Sequence, residues 1–177
     1  LGKYIKEKVL PAGGNLVIIR GALGDKTHDD RVSGVLDELK DTNIKVLTVQ
    51  PGNSERALAM NVMQNILLLH PNVDLVFCSN DEMALGALRA VETMRPQTNI
   101  KVIGWDGTID ALDSIRKGKL FATVDGNAFQ MGYDVVKYVV KYLNGEKIAK
   151  NIVVDYSIID RSNCEQFIVR LQKVLNR

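Results

Sequence analysis

Asp74-Leu75-Val76-Phe77-Cys78-Ser79-Asn80-Asp81-Glu82-Met83-Ala84-Leu85-Gly86-Ala87-Leu88-Arg89-Ala90 reads as a strand, a polar turn and a helix in direct succession. Leu75 to Cys78 is a short apolar run rich in strand formers, as a strand buried on both faces requires. Ser79-Asn80-Asp81 supplies a turn and a helix cap, and Glu82 sits in the first turn, where the helix dipole favours a carboxylate. Met83, Ala84, Ala87, Leu88 and Val91 then recur at helical spacing. A turn at the carboxyl end of a buried strand is where open α/β sheets bind ligands. Asn80 is therefore a candidate contact, unless it only shapes the turn.

The same alternation extends in both directions. Upstream, Leu1–Leu10 predicts an amphipathic helix, Leu16–Ile19 a central strand, and Thr27–Lys40 a helix with Val32, Val35, Leu36 and Leu39 on its apolar face. Ile44–Val49 predicts a second strand, and Ser54 is the expected N-cap of a helix running to Leu69. Downstream come a strand at Lys101–Gly104, a helix at Ile109–Lys117, a strand at Phe121–Val124 and a long helix at Phe129–Leu143. A last strand, Ile152–Ile159, precedes a terminal helix, Glu165–Asn176, with Phe167, Ile168, Leu171, Val174 and Leu175 as its apolar stripe. Strands alternating with helices imply a doubly wound α/β fold with a parallel sheet, because parallel neighbours need crossover connections.

The 177 residues are 46% hydrophobic and 25% charged, enough apolar material for a proper core. The net charge of +2, with both signs interspersed, gives no footprint for nucleic acid. Neither Cys78 nor Cys164 has metal-ligand spacing around it, and whether the two pair is left open. No metal or cofactor is expected. The chain opens in a helix with no Met and no signal peptide, so a fragment or a processed form is expected.

Polar residues just past each strand share one crevice in such a sheet. They are Asp25 with nearby Arg31, then Asn80 and Asp81, then Asp106, then Asp125 and Asn127. Asp accepts two hydroxyl protons, Arg donates in a planar fork, and Asn does both. A ligand with several hydroxyl groups, such as a sugar, suits that set, although some of these residues, Asp81 foremost, are expected only to cap helices. An enzyme is not expected. His28 reads as a solvated residue at a helix start, His70 lies at the opposite edge of the sheet, and no serine or cysteine sits in an elbow motif. Gly21-Ala22-Leu23-Gly24 lacks both the third glycine of a dinucleotide fingerprint and the Gly-Lys-Ser/Thr of a phosphate loop.

Four stretches together resemble a known family. They are Gly21–Gly24 with Arg31-Val32-Ser33-Gly34, then Pro71–Asp74 running into Ser79–Ala87, then Val102-Ile103-Gly104-Trp105-Asp106-Gly107, and Ala122-Thr123-Val124 with Gln130-Met131-Gly132. In order and spacing, over about residues 2 to 160, the chain resembles the type I periplasmic sugar-binding proteins of the ribose- and allose-binding kind. The resemblance implies a Rossmann-like lobe of a two-lobed protein that holds a pentose or hexose in a hinged cleft. Arg31, Asn80 and Asp106 match the family's hydroxyl-binding residues. Where the family often has a glutamine this chain has Asp125-Gly126-Asn127, so Asn127 or Asp125 is offered as the fourth contact. The family's first lobe is missing. Residues 1–126 correspond to the second, C-terminal lobe, 127–151 to a crossover helix that packs on the absent lobe, and 152–177 to the return strand and terminal helix. Trp105, at a position more often phenylalanine, is expected to pack partly buried beside the cleft.

The resemblance implies a periplasmic location, or one on the extracellular face of the membrane. The implied role is the solute-binding component of a sugar ABC transporter, with a membrane permease as partner. The alternative is the extracytoplasmic sugar-sensing domain of a hybrid sensor kinase, with a transmembrane segment as partner. The terminal helix could lead toward such a segment or be an ordinary packed helix. A repressor effector domain also shares the turn at Asn80, but Ile115–Thr123 favours the periplasmic branch. The apolar stripe on Phe129–Leu143 is too wide to leave in water, so an isolated chain is expected to be a homo-oligomer.

Overall fold

The protein is described by a computed structural model covering residues 1–175, with side chains through Lys173. Asn176, the expected end of the terminal helix, and the side chains of Val174 and Leu175 lie outside the described residues.

Five strands, β1 (Gly14–Arg20), β2 (Ile44–Pro51), β3 (Leu75–Cys78), β4 (Lys101–Ile103) and β5 (Ala122–Asp125), run parallel in a sheet that β6 (Ser157–Asp160) completes in the order β2-β1-β3-β4-β5-β6. The chain steps outward from β1 to β2 and then crosses back to β3, so the order reverses between β1 and β3. At such a switch point the connections leave in opposite directions and open a crevice at the carboxyl edge.

Side chains along the central strands alternate between two faces, as the strand period of two dictates. Val17, Ile19, Val76, Cys78 and Val102 join one core, covered by α3 (Arg56–Leu69), α4 (Asp81–Met94), α5 (Ile109–Arg116) and α7 (Cys164–Leu175). Leu16, Ile18, Leu75, Phe77, Ile103 and Ala122 join the other, covered by α2 (Lys26–Leu39) and the N-terminal helix. The doubly wound arrangement is the one expected. Between α3 and α4 the backbones come close at Gly86, where an added Cβ would sit 2.1 Å from the Arg56 carbonyl oxygen.

Several local expectations change. The N-terminal helix is α-helical only for α1 (Gly2–Tyr4) and continues as a π-helical turn over Ile5–Val9. Ser54 does not cap α3: it adopts a left-handed φ of 63°, and its hydroxyl turns to His28 instead. The final strand is Ser157–Asp160, antiparallel to β5, rather than Ile152–Ile159. Its length is set by β5, which offers only four residues to pair. Its direction follows from α6 (Ala128–Leu143), a helix of about 24 Å that leaves from the carboxyl edge, while residues 144–156 return to that same edge. No residue of α6 is buried. The terminal helix is an ordinary packed one, with Phe167, Ile168 and Leu171 against the core. Cys78 and Cys164 are free and buried. Among the described residues, no helix is long and apolar enough to cross a membrane and no cluster could hold a metal ion.

Candidate functional site

Three elements deliver the central residues to the switch point. Asp25 starts α2 by accepting the Thr27 and His28 amide protons, which puts Arg31 one and a half turns along the helix, within reach of the strand ends. Its Nη1 donates to the Ser79 carbonyl at 2.8 Å and to Asp106 Oδ1 at 3.1 Å. Asn80, directly after Ser79, caps α4 by accepting the Met83 amide proton at 2.9 Å, which leaves its side-chain nitrogen to donate elsewhere. Asp106 has a φ of 127° and precedes Gly107 at 71°, a tight turn that swings its carboxylate toward Arg31. Arg31 and Asp106 are thus brought together, with the buried Asn80 next in the chain to the Ser79 carbonyl that Arg31 holds.

Trp105 is half-buried beside them, as expected, with the Arg31 guanidinium 5.0 Å from its ring centroid, a cation–π pairing that holds both groups in place. Tyr156 meets Trp105 edge-on, with centroids 5.5 Å apart and planes at 63°. Lys26, Thr27, Asp30, Arg31, Trp105 and Tyr156 line an open cleft of about 530 Å³. Lys26 is paired with Asp30 and Arg31 with Asp106, so the cleft carries charge without an uncompensated sign. Such a site favours a neutral polyhydroxyl ligand over an anion.

The two remaining candidates are not drawn in. Asp125 abuts Gly107, but its carboxylate accepts the Asn127 amide proton at 2.7 Å. Asn127 takes a left-handed φ of 53° and its side-chain oxygen is held by Arg170 of α7.

Behind the cleft lie residues with roles that sequence reasoning did not assign. Asp81 is not the helix cap; Asn80 is. Asp81 is fully buried and accepts from Thr123 Oγ1 at 2.6 Å and from the Thr108 amide at 2.8 Å. It thereby ties the start of α4 to the loop that carries Trp105 and Asp106. Gly104 makes room for it, since a Cβ there would lie 2.2 Å from Asp81 Oδ1. Burial pushes Asp81 up to about 6 against those hydrogen bonds. Burial likewise raises Asp106, and Arg31 opposes that rise.

His28 is buried, not solvated. Its Nδ1 lies 2.8 Å from Ser79 Oγ and its Nε2 3.0 Å from Ser54 Oγ, so the ring joins three loops at the carboxyl edge. Burial holds the imidazole below its ordinary value. Gly21 is the signal that was available: a Cβ there would lie 2.2 Å from the His28 ring. Nothing local marks Asp81 or Tyr156, whose neighbours are distant in sequence.

Comparisons with known proteins agree with the fold. Residues 1–147 match the family model described as periplasmic binding protein domain. The ribose import binding protein of Salmonella typhimurium is 37% identical over 158 residues, 89% of this chain and 53% of the relative. The D-allose-binding periplasmic protein of Escherichia coli is 31% identical over 153 residues, 86% of this chain and 48% of the relative. Among solved structures, a periplasmic solute-binding protein of an ABC transporter from Actinobacillus succinogenes with bound D-allose superposes with a TM-score of 0.87 at 29% identity, over 93% of this chain and 58% of that one. The chain spans about half the length of the curated relatives it matches. Fold, motif order and these likenesses agree, and the chain belongs to the periplasmic binding protein domain family.

Proposed function

We propose that Arg31, Asn80 and Asp106 bind the hydroxyl groups of a monosaccharide, a pentose or hexose, in a cleft between this lobe and a second one. The observation that carries the reading is the Arg31–Asp106 pair at the switch point, joined to the Ser79 carbonyl and flanked by Trp105. Each sugar hydroxyl needs both a donor and an acceptor. Asp106 accepts two protons, Arg31 donates from a fixed planar fork, and the Asn80 amide donates beside them. Because Arg31 is already held by Asp106 and Trp105, little side-chain entropy is lost when the sugar arrives.

The lobe acts in this reading outside the cytoplasmic membrane, as the sugar-binding component of an ABC importer. Similarity to ribose- and allose-binding proteins supports that role. Asn127 and Asp125 would join the site only after rearranging, so they are secondary contacts. Residues 127–151 then form the crossover whose helix α6 lies on the other, absent lobe, with Met131, Val135 and Val139 facing it. Without that lobe the same stripe drives self-association of the isolated chain.

Calorimetry on the complete two-lobed protein with D-ribose, D-allose and myo-inositol tests the site. Loss of a buried charged partner costs about 1–3 kcal/mol or more, so Asp106→Ala should weaken the preferred sugar at least roughly tenfold. Unchanged affinity would sink the assignment.

A further inference from the structure

The cleft has a second aromatic wall supplied by an element of opposite direction. In a parallel strand the last residue faces the carboxyl edge, but β6 is antiparallel to β5, so its first residues do. Ser157 pairs with Asp125, and Tyr156 follows on over Gly126, where an added Cβ would lie 3.3 Å from the Tyr156 ring. Glycine at 126 therefore leaves the ring free to lie beside the strand end. From there Tyr156 reaches the Trp105 ring edge-on, and it is 60% exposed in the cleft.

The two aromatics are not equivalent as ligand platforms. Trp105 is half-buried and has the Arg31 guanidinium over its ring, so that π face is already occupied by a cation. Tyr156 has no such partner among the described residues, and its exposed ring borders the same space as Arg31. A ring π face is weakly negative and attracts weakly positive C–H groups. Cyclic polyols present such groups on the faces of a six-membered ring while their hydroxyls point outward. The hydroxyls can then be taken by Arg31 and Asp106 as the C–H face meets the tyrosine.

We infer that Tyr156 is a specificity-determining contact of this cleft, its ring receiving the C–H face of a six-membered cyclic polyol while Trp105 closes the corner. The inference rests on the sugar-binding reading above and names one residue and one shape of ligand within it.

The complete protein is titrated with D-allose, myo-inositol and D-fructose, alongside Tyr156→Ala, Tyr156→Phe and, as a control in the same segment, Val153→Ala. Tyr156→Ala is expected to weaken the preferred six-membered ring by roughly tenfold, the scale of one aromatic contact, with Tyr156→Phe and Val153→Ala near the unaltered protein. Proton NMR should show upfield shifts of the ligand C–H signals that persist with phenylalanine and vanish with alanine. A circular dichroism melt of Tyr156→Ala separates lost contact from lost fold. Binding by the unaltered protein with no change in Tyr156→Ala, or ligand signals unshifted in the unaltered protein, overturns the role of Tyr156 alone. Failure of the unaltered protein to bind any of the three while it binds D-ribose overturns the inference about ligand shape, and failure to bind D-ribose as well overturns the sugar-binding reading itself.

Discussion

Helix α4 buries Met83, Ala84, Ala87, Leu88 and Val91, whereas α6, with Met131, Val135, Val136, Val139, Val140 and Leu143 at the same spacing, buries nothing. Composition does not separate them, because both present a continuous apolar stripe. Connection does. Helix α4 joins two parallel neighbours, β3 and β4, and a parallel crossover has to carry the chain back along the sheet, which lays the helix on it. Helix α6 joins β5 to an antiparallel neighbour, where no crossover is required, so the helix is free to leave. Periodicity tells which side of a helix seeks cover, and topology decides whether the cover is its own sheet.

The contrast breaks most easily in the core. Phe77, fully buried in β3, should lose about 3–5 kcal/mol of stability on change to alanine, read as a shifted urea midpoint, while Val139→Ala in α6, measured at a dilution where the isolated chain is monomeric, should stay within about 0.5 kcal/mol. A large effect at Val139 in a chain shown to be monomeric by light scattering would mean that α6 is covered by its own chain after all.

A pH titration probes the covered side of the same contrast. Asp81 titrates near 6 when folded and near 3.9 when unfolded, so the folded state holds its proton more tightly. Its contribution is present below about pH 4 and is lost as pH rises through 6, a change of roughly 3 kcal/mol at about 1.4 kcal/mol per unit. His28 has the opposite slope: its lowered value gives stability that is present above about pH 6.5 and lost on acidification. Asp81→Asn keeps an acceptor for the Thr108 amide and should remove the Asp81 component, making stability fall less between pH 4 and 7 than in the unaltered protein. Identical profiles for the two proteins would refute the assignment.

Gly86→Ala is the next smaller change. Its Cβ meets the Arg56 carbonyl, which is backbone and cannot swing aside, so α3 and α4 must separate at a cost of about 1–3 kcal/mol. Alanine in place of the exposed Gly132 in α6, where nothing lies within 4 Å, should instead stabilise by up to about 1 kcal/mol through helix propensity. Equal effects at the two glycines, read by thermal melts, would erase the distinction between the covered and uncovered helix.

The sequence made the covered half of the molecule readable because each of its signals is local. Leu75 to Cys78 is apolar at every position, Ser79-Asn80-Asp81 is a turn, and a helix spacing follows, so strand, turn and helix could be placed nearly residue by residue. Asn80 and Asp106 were picked out by the same logic, each just past a strand end, whereas Arg31, inside α2, was reached as a neighbour of Asp25 and through the family resemblance. What escaped was decided by partners far along the chain. The direction of β6 depends on where residues 144–156 return, and Tyr156 reaches the cleft only because of that direction. His28 looked solvated because its partners, Ser54 and Ser79, are 26 and 51 residues away. Asp81 looked like a cap because Thr108 and Thr123 cannot be seen from its own turn.

The near contact at Gly86 also has a mechanical consequence. With backbone against backbone, α3 and α4 cannot slide past one another, and the loops that begin them, at Ser54 and Asn80, are bound into a stiff plate with the sheet. Residues 126–156, with no buried side chain along their length, make a compliant strap fastened to one edge of that plate. In the reading proposed above, a body resting on α6 would move relative to the plate by bending that strap, and the spacing of Arg31 and Asp106 would stay as it is.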